Sequence, residues 1–203
     1  MKTFIIGSSH ITRLKTYVDT ENKWRLTGHV INIRGINGGM VGSIFHHLVD
    51  IKLFSPDVIF LQIGSNDIGD SKTQVSDVLF KLECLIQVLI ELKVKFIYVG
   101  LVMHRETVLR RRGLSIEEYN ARVDQMNVGL NEMAKNYKPR MIFWIHRGLQ
   151  FPNVRILHSD GIHLNKEGNT RLFTSIRGAL LFAENKMRGK HLVRLRVTFI
   201  FQL

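Results

Sequence analysis

A carboxylate and an imidazole three residues apart, Asp160-Gly161-Ile162-His163, can meet across one turn and supply two members of a hydrolytic triad. The third must be a hydroxyl or thiol. Two polar clusters stand directly behind hydrophobic runs: Gly7-Ser8-Ser9-His10 after Phe4-Ile5-Ile6, and Gly64-Ser65-Asn66-Asp67 after Val58 to Ile63. Ser9 opens a helix, where its hydroxyl sits over backbone N–H groups and a positive dipole end that favour a developing anion. It is the better nucleophile candidate, and Ser8 competes for the role. Either serine could instead simply cap the helix, as serines often do. His163 would serve as general base and Asp160 would hold its tautomer, with His158 an outside candidate for the base; the plainer alternative is an Asp-Gly turn beside a packed histidine. A tetrahedral oxyanion needs two or three fixed donors. The natural set is the N–H of Ser9, the N–H of Gly38 or Gly39, and the side-chain amide of Asn66.

These residues can act together only if the fold gathers them. Five apolar runs rich in β-branched and aromatic residues read as strands: Lys2 to Ile6, Val30 to Arg34, Val58 to Ile63, Phe96 to Leu101, and Met141 to Ile145. Most are continuously apolar, which predicts burial on both faces of a parallel sheet. Between them lie helical patterns. Val75, Val78, Leu79, Leu82, Leu85, Ile86 and Leu89 form one stripe, Ser115 opens a helix over Ile116 to Tyr137, and Leu172, Ile176, Leu180 and Ala183 mark a last helix. The alternation predicts a three-layer α/β/α sandwich, a five-stranded parallel sheet of flavodoxin-like order 2-1-3-4-5. In that order Ser9, Gly38 and Asn66 line the crevice at the carboxyl ends of strands 1, 2 and 3, and the segment from Asp160 to His163 reaches the same edge. His104-Arg105 and His146-Arg147 follow strands 4 and 5 and are expected at its border, His104 and Arg105 as substrate contacts.

The remaining features set limits. A chain of 203 residues, 45% hydrophobic, fits one domain. We expect it over residues 1–185, followed by a basic and apolar tail, 186–203, in which Val193 to Ile200 alternates like a strand. Met1 to Ile6 is too short for a secretory signal core, and no run approaches a membrane span, so an intracellular protein with no membrane span is expected. Cys84 is the single cysteine and falls in a helical pattern, which excludes an internal disulfide and favours a core role. No His, Cys and carboxylate grouping has zinc spacing, and His46-His47, adjacent on one expected helix, cannot both face one ion. The Gly35-Ile36-Asn37-Gly38-Gly39 turn lacks the dinucleotide fingerprint. No metal or cofactor is expected. Charge leaves one further reading open: 29 Lys+Arg against 17 Asp+Glu gives +12, with five basic residues and no acid in the last 18 positions and an Arg110-Arg111-Arg112 run in an expected loop. Such a surface is either solvated or binds an anionic partner such as nucleic acid.

Taken together, Gly7-Ser8-Ser9, Gly38, Gly64-Ser65-Asn66-Asp67 and Asp160-Gly161-Ile162-His163 resemble the four blocks of the SGNH hydrolases, or GDSL-type esterases, in the correct order over about residues 2 to 183. The resemblance implies ester hydrolysis without a metal, through an acyl-enzyme on Ser9, acting on O-acetyl, lipid or thioester acyl groups, with Gly38 and Asn66 completing the oxyanion hole. The first block usually reads Gly-Asp-Ser, and Ser8 replaces that aspartate here. More loosely the chain is similar to compact invertebrate SGNH domains, some linked to retrotransposon-encoded esterases. Ser8 and the +12 charge together motivate the alternative of a catalytically weak SGNH-fold protein that binds an anionic partner, such as a retrotransposon-related nucleic-acid-associated protein.

Overall fold

Continuously apolar strands satisfy their backbone groups only by pairing and hide both faces only beneath helices. The computed structural model, which describes residues 1–21, 26, 28–108, 113–150 and 155–189, shows this arrangement. The elements run β1 (Lys2–Gly7), α1 (Ser9–Thr20), β2 (Val30–Gly35), α2 (Val41–Phe45), α3 (Leu48–Phe54), β3 (Val58–Gln62), α4 (Val75–Glu91), β4 (Phe96–Gly100), α5 (Ile116–Asn136), β5 (Met141–Trp144) and α6 (Lys166–Met187). The sheet has the expected order β2-β1-β3-β4-β5, and every pairing is parallel. One helical region divides further than the sequence suggests. His46 and His47 do not share a helix but form the turn between α2 and α3. The Arg110 to Arg112 run and the alternating Val193 to Ile200 stretch lie outside the described residues.

Side-chain alternation along each strand divides the core into two layers. Phe4, Ile6, Ile59, Leu61, Ile97 and Val99 pack under residues of α2 to α5, whereas Ile5, Val58, Phe60 and Tyr98 pack under α1 and α6. All ten are fully buried, each contributing on the order of 2 kcal/mol relative to exposure. β1, β3 and β4 are covered on both faces, and the outer strands β2 and β5 less so. The apolar stripe expected from Val75 onward is the buried face of α4, and Ser115 caps α5 reciprocally with Glu118, the hydroxyl accepting from the Glu118 N–H at 3.1 Å and the carboxylate from the Ser115 N–H at 2.7 Å.

Gln62 is a polar residue at the end of a buried strand, and its bonds show how that cost is met. Its Nε2 donates to the Leu101 carbonyl at 2.9 Å, and its Oε1 lies 2.8 Å from His146 Nε2. His146 Nδ1 lies 2.9 Å from Ser175 Oγ, which is also 3.0 Å from Trp144 Nε1. Gln62 Oε1 can only accept, so His146 Nε2 carries the hydrogen and Nδ1 accepts from the Ser175 hydroxyl, which in turn accepts from the indole N–H. His146 is thus a core residue joining β3 to α6, not the crevice residue expected from its position after β5. Its burial lowers its pKa from the usual 6.5 to about 3. The unfolded chain therefore binds a proton at this residue between those values while the folded chain does not, so stability is complete above about pH 6.5 and declines as pH falls toward 3. Urea unfolding from pH 7 to 4 should show this decline, with roughly 1 kcal/mol per pH unit from His146. The decline should be shallower in His146→Gln; an unchanged slope would exclude this histidine as its source.

Candidate active site

The register of β1 decides which residues share the sheet edge. Gly7 pairs with Gly35 on one side and Gln62 on the other, so three consecutive turns leave the sheet at one height. The first passes through Ser8, whose N–H donates to the Gln62 carbonyl at 3.0 Å and whose own carbonyl accepts from Ile11 and Thr12. Ser8 occupies the cap position of α1, yet its side chain makes no capping bond and is buried. Ser9 begins the helix, where amide groups have no intrahelical acceptor, and its Oγ lies 3.0 Å from His163 Nε2.

The segment from His158 to His163 is a tight turn, closed by the His158 N–H donating to the His163 carbonyl at 2.7 Å and by an antiparallel bridge between Leu157 and Leu164. Gly161 sits at φ +64°, a left-handed conformation that favours glycine. The turn wraps the Asp160 carboxylate: Oδ1 accepts from the N–H groups of Ile162 and His163, both at 2.9 Å, and Oδ2 is 2.8 Å from His163 Nδ1. Burial pulls the Asp160 pKa upward, but the two amides and the imidazole outweigh it and hold the carboxyl well below the usual carboxylate range. An ionised Asp160 accepts from Nδ1–H, so Nε2 presents its lone pair to the Ser9 hydroxyl. Asn165 ties this turn to α6, capping the helix through Oδ1 and donating from Nδ2 to the carbonyls of Arg155 and Leu157.

The second and third turns leave the sheet after β2 and β3. Gly38 adopts φ +66°, and the Gly39 N–H donates to the Ile36 carbonyl at 2.9 Å. Asn66 Nδ2 donates to the Gly39 carbonyl at 3.0 Å, and the Val41 N–H donates to both oxygens of Asp67 at 3.1 and 3.2 Å. These bonds join the β2 and β3 turns into one unit.

The expected substrate contacts lie elsewhere than at an open surface. Arg105 is buried, its Nη2 3.3 Å from Asn66 Oδ1 and 3.4 Å from the Ser65 carbonyl oxygen, and His104 bridges the Gln150 carbonyl and Asp124 at 3.1 and 3.0 Å. His158 approaches Asp160 at 3.7 Å rather than the serine. Three neighbours of the site escaped the sequence reading. Arg13, one helical turn after Ser9, lies 3.5 Å from Asp160 Oδ2; the spacing of four was the available signal. His10 packs its ring 5.7 Å from that of His163. Burial, with the charge of Arg105 next in weight, lowers its pKa to about 3, and its ring lines a cavity of about 10 Å³, the size of one water. Thr107 donates from Oγ1 to the Asp160 carbonyl at 2.6 Å, a contact between distant loops that no local pattern announces. Among the described residues no three His, Cys, Asp or Glu side chains converge as metal ligands, and no helix is long and apolar enough to cross a membrane.

Comparison with known proteins matches the fold. The fold superposes on a GDSL-like lipase from Bacteroides thetaiotaomicron with a TM-score of 0.69 at 15% identity, covering 90% of this chain and 88% of that one. A lipase/acylhydrolase from Enterococcus faecalis gives 0.64 at 17% identity over 93% and 97%, and a carbohydrate esterase family 3 protein from Talaromyces cellulolyticus gives 0.66 at 10% over 91% and 99%. At these identities the likeness is one of fold. No curated protein matches the chain at a significant level. The GDSL-like lipase/acylhydrolase family model matches residues 4–176. The chain therefore belongs to the GDSL-like lipase/acylhydrolase family, the SGNH hydrolases.

Proposed function

We propose that this protein is a serine esterase that cleaves carboxylic esters through an acyl-enzyme on Ser9. The observation that carries the reading is the unbroken chain from Ser9 Oγ to His163 Nε2 at 3.0 Å and from His163 Nδ1 to Asp160 Oδ2 at 2.8 Å. Family membership and the esterase neighbours support ester hydrolysis as the reaction class.

In this mechanism His163 Nε2 takes the Ser9 proton as Oγ attacks the acyl carbon, and the new imidazolium is stabilised by Asp160. The carbonyl oxygen becomes an oxyanion facing the N–H groups of Ser9 and Gly38 and the Asn66 amide. We assign Gly38 rather than Gly39 to this role because the Gly39 amide already donates to Ile36. His163 then returns its proton to the departing alkoxide oxygen. A water enters, gives a proton to His163 and attacks the acyl carbon; collapse of the second tetrahedral intermediate releases the acid and restores the Ser9 hydroxyl.

The aspartate usual before the nucleophile is replaced by Ser8, which holds its place through its backbone. The Ser8 N–H to Gln62 bond and the two bonds into its carbonyl need no particular side chain. Ser8 is accordingly compatible with an active Ser9.

Purified protein should hydrolyse a short p-nitrophenyl ester, and Ser9→Ala or His163→Ala should abolish turnover. Wild-type turnover in both variants would refute the triad. Mass spectrometry after fluorophosphonate treatment should find the adduct on Ser9, not Ser8. Asn66→Ala should lower kcat on the order of 10²–10³-fold, as expected for loss of one oxyanion donor; a loss below a few-fold would remove Asn66 from that role.

A further inference from the structure

Arg105 is 6% exposed, an unusual depth for a guanidinium, and the structure surrounds it with specific contacts. Its main chain is clamped on both sides by one side chain of α5, the N–H donating to Asn120 Oδ1 at 3.1 Å and the carbonyl accepting from Asn120 Nδ2 at 3.0 Å. The guanidinium carbon stands 4.6 Å from the centre of the Tyr119 ring, next along the same helix. From that seat Nη2 reaches the Ser65 carbonyl and Asn66 Oδ1. The Tyr119 hydroxyl meets the same Ser65 carbonyl at 3.4 Å.

Resting on the esterase reading above, we infer that Arg105 is a positioning residue for acyl transfer, acting through Asn66: it holds the amide with its nitrogen end toward the oxyanion and places a fixed positive charge behind it. The two ends of an amide have nearly the same shape and opposite hydrogen-bonding character. Only the nitrogen end can stabilise an oxyanion, because the oxygen end would set lone pairs against it. A guanidinium has donors and no acceptor, so it can bind only Oδ1, and the Gly39 carbonyl has no donor, so it can bind only Nδ2. Between these two partners the amide has one orientation. The cation also polarises the amide it touches, strengthening Nδ2 as a donor. Lysine could supply the charge but not the planar guanidinium that stacks on the Tyr119 ring. Being buried, Arg105 does this without contacting substrate.

The test uses the full chain and the variants Arg105→Met, Arg105→Lys, Asn66→Ala and the double variant Arg105→Met/Asn66→Ala. With p-nitrophenyl acetate, Arg105→Met should lower kcat on the order of 10²-fold with KM changed less than about two-fold. The double variant should be no slower than Asn66→Ala alone, since both changes disable one device. Arg105→Lys, which keeps a cation and guards against a folding failure of the methionine variant, should lose about ten-fold in kcat. In ¹⁵N spectra the Asn66 side-chain amide pair, identified by its absence in Asn66→Ala, should move in both Arg105 variants. An unmoved Asn66 pair, an unchanged kcat, or losses that multiply in the double variant would overturn the inference. A wild-type protein that fails to hydrolyse the ester defeats the esterase reading instead, and the amide spectra then decide on their own whether Arg105 orients Asn66.

Discussion

The pairing of Gly7 with Gly35 and Gln62 is the constraint from which the site follows. Strand spacing in a sheet is set by backbone hydrogen bonds at about 4.8 Å, so three neighbouring strands that end at the same height deliver their next residues to one small area. Ser9, Gly38 and Asn66 lie far apart in sequence and follow those three ends. A slip of one residue in β1 would move Ser9 along the edge and turn Phe4 and Ile6 to the opposite layer of the core. The two layers of fully buried side chains therefore guard the register that the polar edge depends on, and the Ser8 N–H to Gln62 bond passes that register to the nucleophile turn.

Charge in and around the site is kept in place by burial and by rigid donors. Asp160 is held ionised by two backbone amides and an imidazole, with Arg13 beside it. His10 and His146 are kept neutral mainly because burial disfavours their charged forms, so neither is a proton store competing with His163 near neutral pH. Arg105 touches Asn66 at Oδ1. A fixed negative charge thus stands at the Asp160 end and a fixed positive charge at the Asn66 end. That polarity suits a reaction in which a proton moves toward Asp160 while an oxyanion grows near Asn66.

Much of this was legible before folding was considered. Apolar runs bounded by polar clusters marked the five strands to within a residue or so at each end, because strands buried on both faces leave a signal that needs no partner to be read. The strand order followed from connection rules and fold frequency. The split of one helical region into α2 and α3 was not visible, since a two-residue turn at His46-His47 carries neither glycine nor proline. His146 was placed at the crevice because position after a strand says nothing about which way a side chain turns. Its burial depends on Gln62 and Ser175, which are 84 and 29 residues away.

Residue types and their spacing determined that a serine, a glycine, an asparagine and an Asp-x-x-His turn follow strands β1, β2, β3 and β5 of an α/β fold, because strand and turn signals are local. What only the tertiary structure decided is which atoms meet: Ser9 rather than Ser8 at the imidazole, the Gly39 amide given to Ile36 beside Gly38, and Arg105 turned inward onto Asn66 rather than outward to solvent. The first and last of these depend on hydrogen-bond directions between segments tens of residues apart or more, and on burial that drives donors and acceptors to find partners. A sequence records the groups available for such bonds. Only packing selects the pairs.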